Sequence, residues 1–352
     1  MRKLASIQQV SAAEPIDGAD AIERLRVVGW WVVAKKREFR PGDKVVYCEI
    51  DSLLPERQEF EFLRAGSFKP AILEGDQVVQ RAGFRIRTAR LRGQVSQGIC
   101  FPLKVLPSGA PVETGSDVTE WMGIVKYEPP VPIGMGGRVK GPFPGFLPKT
   151  DETRVQLLEA LLERRRGTVF HVTEKLDGTS CTAFLRGNEF GVCSRNQWLD
   201  ESDTSNVLVR LAMSLDLPAK LREIRDRFGF DPAIQGEAIG PGIQGNKYRL
   251  KDVELRVFNL LDIDTYRLVD CDTQHLALEA VRLAGVPRLG SIVLDHTVDQ
   301  LVEMSMGNSQ LAPSVRREGI VLRPSVEEQD PDVGGRLSFK VINPEFLLKF
   351  DE

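Results

Sequence analysis

Thr173-Glu174-Lys175-Leu176-Asp177-Gly178-Thr179-Ser180 is the stretch on which the reading of this chain turns. It follows Thr168-Val169-Phe170-His171-Val172, whose β-branched and aromatic residues predict a strand, so Lys175 is expected where that strand runs into a loop. A lysine in that place can act as a nucleophile. For a neutral amine to attack a phosphate near neutral pH, its proton must be lost more easily than from a solvated lysine, through partial burial or nearby positive charge. Asp177, two residues on, can hold a hydrated divalent cation beside the amine, and Gly178 lets backbone approach a ligand closely. The octet alone decides little, because Lys-x-Asp-Gly is short and Asp-Gly also makes hairpin turns.

Downstream, strands and helices alternate. Residues 190–196 read as a strand ending in the polar triplet Ser194-Arg195-Asn196, and helical spacing follows near residues 208–215 and 219–228. Residues 233–247 place one acid, Glu237, at the end of a short strand, with a glycine-rich loop behind it that is expected close to a ligand. Residues 255–263 predict a strand carrying Phe258, residues 274–284 a helix, and residues 317–324 and 337–342 two more strands, carrying Glu318 and Lys340. Residues 326–335 look like a surface insertion between those two strands.

Upstream, Thr150 or Asp151 is placed to cap a helix whose apolar positions Val155, Leu158, Leu161 and Leu162 recur at helical spacing up to Gly167. Arg154 then falls in the first turn, where the helix dipole does not favour a cation, a misfit that hints at a phosphate ligand. Residues 127–148 are rich in Pro and Gly and predict a domain boundary.

Before that boundary the signals are short strands cut by turns: residues 22–28, 30–34, 44–50, 83–93 and 97–102. Five or so strands in about a hundred residues suggest a small closed barrel, of which the OB-fold is the common nucleic-acid module. Arg85 and Arg87 share one face of their predicted strand and Arg90 and Arg92 continue from it, a set that can track phosphates or simply be solvated. Trp30 and Trp31 point to opposite faces, one toward a core and one available as a base-stacking platform.

Composition narrows the class. The 352 residues are 42% hydrophobic and 28% charged, with no apolar run long enough to span a membrane and no secretion-signal pattern at the amino terminus, so the cytoplasm is the expected location. Cys48, Cys100, Cys181, Cys193 and Cys271 are scattered and make no Cys-x-x-Cys, which argues against a disulfide framework or a zinc ribbon. His171, His275 and His296 are too far apart for a metal motif. The net charge of −3 conceals 22 Lys and Arg against 17 Asp and Glu up to residue 150, and 25 against 33 beyond it. A basic module precedes an acidic one, as suits a phosphate-binding half followed by a half that gathers carboxylates around metal.

Taken in order, Lys175-x-Asp177-Gly178, Ser194-Arg195-Asn196, Gly236-Glu237, Phe258, Glu318-Gly319 and Lys340 resemble the successive motifs of the covalent nucleotidyltransferase superfamily of ligases and RNA capping enzymes. The amino-terminal OB-like module, the stretch 149–154, the loop 236–244 and the ending Ser338-Phe339-Lys340-Val341-Ile342-Asn343-Pro344 look like the fifth family of ATP-dependent RNA ligases. Superfamily members that carry their OB domain last, or need zinc-binding cysteines, match less well. The resemblance implies an α+β fold: an OB-like β-barrel at 1–126, a linker at 127–148 and an adenylyltransferase domain of ATP-grasp-like antiparallel sheets with helices at 149–352.

It also implies a chemistry of lysyl-AMP and 5′-adenylated RNA in RNA repair, with ATP and Mg2+ or Mn2+ as cofactors. The partner would be RNA with 3′-OH and 5′-phosphate ends, in a nicked duplex or an RNA/DNA hybrid, and the protein a monomer away from membranes. The catalytic set implied is Lys175, Lys340, Glu237 and Glu318; the metal set is Asp177, Glu237 and Glu318. The nucleotide would meet Glu174, Lys175, Leu176, Arg154, Arg195, Glu237, Phe258, Lys340 and Lys349.

Overall fold

A computed structural model describes residues 3–74, 77–128 and 137–350. The chain divides into two compact units: Met1–Pro130 with Gln156–Glu159 and Pro344–Glu352, and Val131–Val155 with Ala160–Asn343. Neither unit is a single stretch of chain.

In the first unit the long strand Ala5–Pro15 pairs through its first half with Lys44–Cys48 and through its second half with Ile22–Val27. An irregularity in register between Val10 and Ala12 bends it between the two partners, as a bulge does. Trp30–Lys35 and Ile99–Pro102 complete an antiparallel five-stranded sheet at its two edges, a half-barrel. Alternation sends Trp30 inward, 2% exposed, and leaves Trp31 half-buried, with the Arg24 and Arg26 guanidiniums 4.2 and 5.0 Å from its ring centre. Trp31 is therefore not a bare stacking platform.

The single strand expected over 83–93 is two. Gly83–Arg85 joins Ser52–Leu54, Phe68–Lys69 and Val125–Lys126, whereas Thr88–Leu91 makes a hairpin with Gln94–Gln97. The break falls at buried Ile86, whose N–H donates to the Ser52 carbonyl and whose own carbonyl accepts from Asp51. Arg85 pairs with Asp51 at 3.2 Å and lies 4.5 Å from the Tyr127 ring centre, Arg87 donates to the Gly66 carbonyl, and Arg90 pairs with Glu345. Three of the four arginines thus have partners inside their own unit, and Arg92 sits in the tight turn with Gly93, both at positive φ.

The second unit holds two sheets. The larger runs Val139–Pro142, Gln197–Leu199, Glu189–Cys193, Thr179–Arg186, Pro232–Ile239, Glu254–Asp262, Arg267–Leu268. Helices Val207–Ser214, Leu217–Phe228 and Cys271–Ala280 bury Leu211, Leu221, Ile224 and Leu278 in one core with Ala183, Ile234 and Leu260 of that sheet. The smaller sheet runs Thr153–Arg154, Phe339–Ile342, Gly319–Pro324, Val169–Lys175, Arg288–Val293. The Pro/Gly-rich stretch 127–148 lies outside the described residues at 129–136; beyond them Val139–Pro142 is an edge strand and Leu147 is buried against Phe184.

One expectation fails here. No helix begins at Thr150: Thr153–Arg154 is a strand in parallel register with Phe339–Lys340, and only Glu159–Arg164 is α-helical, because tertiary pairing overrides the apolar periodicity. Residues 326–335 lie largely at the surface between their two strands, and ion pairs tie them down. Asp330, 3% exposed, accepts from both Arg164 and Arg165, and Glu327 pairs with Arg336. Among the described residues no helix is long and apolar enough to cross a membrane.

Candidate active site

Strand register brings the distant motifs together. Lys175 is the last residue of its strand and stands opposite Gly319, so Glu318 adjoins it, and the Lys175 Nζ donates to Glu318 Oε1 at 2.6 Å. Two positions back, Thr173 faces Val321, Val321 faces Lys340, and Lys340 faces Arg154. Residues opposed across a ladder share a face, and so do residues two apart, so Lys175, Thr173, Lys340 and Arg154 belong to one face of the smaller sheet.

After Leu176-Asp177-Gly178 the chain passes into the larger sheet. Gly178 packs so tightly there that a Cβ would collide with the Ala238 carbonyl oxygen, which is a reason for glycine that the sequence reading had assigned to the ligand. Ser180 then pairs with Glu237. A cavity of about 290 Å3 lies between these elements, lined among others by Thr173, Lys175, Glu237, Phe258, Arg323 and Lys340. Phe258 reaches it through a fault in the ladder: Gln235 pairs with Asn259 but Gly236 with Val257, so Phe258 is an extra residue that the bulge re-aims. Behind it, buried Arg323 donates to the Phe258 carbonyl at 2.5 Å and pairs with Glu152 at 3.2 Å.

The electrostatics separate two lysines on the same face. Burial pulls the Lys175 amine down, but the Glu318, Glu237 and Asp177 carboxylates together outweigh it and hold the amine above the ordinary lysine value. Lys340 goes the other way: burial, with repulsion from Lys175 and Arg154, lowers it to about 7. Glu237 is pushed up to about 8 by burial, helped by the neighbouring Glu318 and Asp177 charges and opposed by Lys175. With no cation beside it, the acids around the Lys175 amine favour its charged form; the nearby positive charge expected to loosen that proton would be the divalent cation's.

Glu318 Oε2 is buried without a hydrogen-bond partner among the described residues, and three carboxylates act electrostatically on one amine. Among the described residues no three His, Cys, Asp or Glu side chains cluster closely enough to ligate an ion directly. The set fits a cation held through its water shell, the form magnesium favours.

A family model described as RNA ligase matches residues 168–342, and one described as an OB-fold domain matches residues 4–103. Among solved structures, a variant of Naegleria gruberi RNA ligase with ATP and Mn is 36% identical over 100% of both chains, with a TM-score of 0.88. The chain belongs to the RNA ligase family. The Naegleria gruberi enzyme with PPi is 36% identical to this RNA ligase over 99% of this chain and 98% of that one, with a TM-score of 0.86. A variant with AMP and Mn is 37% identical over 98% of each chain, with a TM-score of 0.86. No curated protein matches.

Of the residues singled out from the sequence of this ligase, Glu174, Lys175, Leu176, Arg195, Glu237, Phe258 and Lys340 line the cavity. The Glu174 carboxylate itself is turned away, 1% exposed and accepting the Gln310 N–H at 2.8 Å, and Arg195 is paired with Asp151 at 2.6 Å. Glu318 joins through Lys175, and Arg154 through its place opposite Lys340. Asp177 does not line the cavity; it pairs with Lys247 at 2.6 Å. Lys349 lies in the helix Pro344–Phe350, grouped with the first unit, with its amine 5.5 Å from the Phe350 ring centre. Thr173, Arg323 and Lys247 were missed as site residues, and only the neighbouring motifs could have drawn attention to them.

Proposed function

We propose that this RNA ligase is ATP-dependent and joins an RNA 3′-OH to a 5′-phosphate through a lysyl-AMP. The Lys175 nitrogen, having given up its proton, bonds to the α-phosphorus of ATP as the bond to the β-phosphate bridging oxygen breaks and pyrophosphate leaves. A 5′-phosphate oxygen of the RNA next takes the adenylyl group, the phosphorus–nitrogen bond breaks, and Lys175 recovers a proton. Finally the RNA 3′-OH attacks that 5′-phosphate and AMP departs.

Charge shifts among phosphate oxygens in all three steps, so most of the work falls to positioning and electrostatic stabilisation. Lys340, on the Lys175 face of the sheet, serves the α-phosphate, and Arg154 beside it serves the pyrophosphate. The bulged Phe258 stacks on adenine, and Arg195 at the cavity serves the ribose or a phosphate. Asp177, Glu237 and Glu318 would hold Mg2+ or Mn2+, and the cation, when bound, would supply positive charge that offsets the acids favouring the amine's proton. We assign RNA engagement to the first unit, at residues 1–126, and the adenylyl chemistry to residues 149–352.

The observation that carries this reading is the placing of Lys175, Lys340 and Phe258 on one cavity with Glu318 2.6 Å from the amine. The test is covalent labelling: with ATP radiolabelled at the α-phosphate and Mg2+, the chain takes up label, whereas Lys175→Ala does not. Label retained by Lys175→Ala, or acquired from GTP in preference to ATP, overturns the proposal.

A further inference from the structure

The loop behind Glu237 carries an arrangement that the reaction scheme leaves unused. From Gly240 to Arg249 the chain turns back on itself with Gln244, Asn246 and Arg249 at φ of 44, 48 and 56°, a left-handed conformation that L-residues seldom adopt. Asn246 holds the turn closed, its side-chain amide donating to the Leu250 carbonyl at 2.9 Å while its oxygen accepts the Leu250 N–H at 3.0 Å. What this strained loop presents is a grip on Asp177. Lys247 pairs with the Asp177 carboxylate at 2.6 Å, and the next residue, Tyr248, accepts the Asp177 backbone N–H on its hydroxyl at 2.8 Å. The paired side chains are 11 and 13% exposed, so water screens the contact little.

Asp177 is one of three acids around Lys175, and it is the one whose carboxylate a second ammonium already holds. We propose that Lys247 is the resident counter-ion of Asp177 in the metal-free protein and is exchanged for the divalent cation when the site loads, so that the Gly240–Arg249 loop is coupled to metal occupancy. This rests on the metal assignment above. An ammonium and a hydrated divalent cation compete for one carboxylate, since pairing with the first reduces the charge that attracts the second. Lys247 is a positioning residue, acting through Asp177 with no part in bond making.

The test uses the full chain freed of nucleotide, with Mn2+ alone as probe, titrated by electron paramagnetic resonance. Lys247→Met keeps the length of the side chain and removes its charge; it is expected to bind Mn2+ about tenfold more tightly than the native chain. It should also melt lower in EDTA and recover more on adding Mn2+ than the native chain does. Lys247→Arg, which keeps the charge, should bind Mn2+ as the native chain does. If Asp177→Ala weakens Mn2+ binding but Lys247→Met leaves the affinity unchanged or lowers it, the exchange is refuted while the metal site stands. If Asp177→Ala has no effect on Mn2+ binding, the metal assignment itself falls, and the exchange with it.

Discussion

The first unit and the cavity of the second spend their cations differently. In the first unit Arg24 pairs with Glu14 and lies over Trp31, Arg85 pairs with Asp51, and Arg90 pairs with Glu345: charge there is largely consumed by the fold. In the cavity Lys340 is half-buried yet forms no ion pair among the described residues, burial and repulsion from Lys175 and Arg154 outweighing the pull of Asp151 and Glu318. The excess of basic residues in the first half of the chain therefore says less about where a phosphate binds than one lysine left uncompensated on a sheet face.

The largest break in that comparison should come from the acid paired with Lys175. Glu318→Ala is expected to slow lysyl-AMP formation on the order of a thousandfold, measured in a single turnover with labelled ATP, because it removes both the partner of Lys175 and a third of the carboxylate set. A rate within tenfold of native would show that the pair is structural. Lys340→Ala should cost on the order of a hundredfold in the same assay. Its charge gives a sharper readout. With the free-protein value near 7, Lys340 is mostly neutral at pH 8, and an anionic nucleotide favours its charged form, so ATP binding takes up a proton at pH 8 and none at pH 6. Calorimetry in buffers of different ionisation enthalpy reads that proton, and Lys340→Ala should lose it.

A smaller effect is expected at Phe258. Replacing it by Ala should raise the KM for ATP about tenfold with kcat less affected, as loss of a stacking face would, and a KM unchanged would place the base elsewhere. The smallest sits in the first unit. Arg85→Ala should lower stability by about 1 kcal/mol in urea unfolding, through the lost Asp51 pair and Tyr127 contact, while lysyl-AMP formation stays native. A fall in RNA affinity with stability intact would show instead that Arg85 serves phosphate.

Much of the site was legible because motif residues are chemically marked. Lys175, Glu237, Glu318 and Lys340 could be picked out from their order and from the strand patterns around them, and the structure brings them together at or beside one cavity. Arg154 was singled out as a misfit at a helix start, but the segment is a strand, so that reason falls away. Phe258 was placed on its strand, yet the bulge that turns it into the cavity leaves no trace in an alternating pattern. Gly178 reads as a ligand-facing glycine until the Ala238 carbonyl is seen against it.

Local chemistry and periodicity are properties of neighbouring residues, and they mark out the strands and the Pro/Gly-rich boundary; Lys175 and the acids were singled out by the order of motifs that resembles a known superfamily. Register is set by pairing across well over a hundred residues, and it alone puts Glu318 against Lys175 and Lys340 opposite Arg154. The protonation of Lys175 follows from that pairing as well, since burial and three carboxylates pull in opposite directions and only their distances decide which prevails.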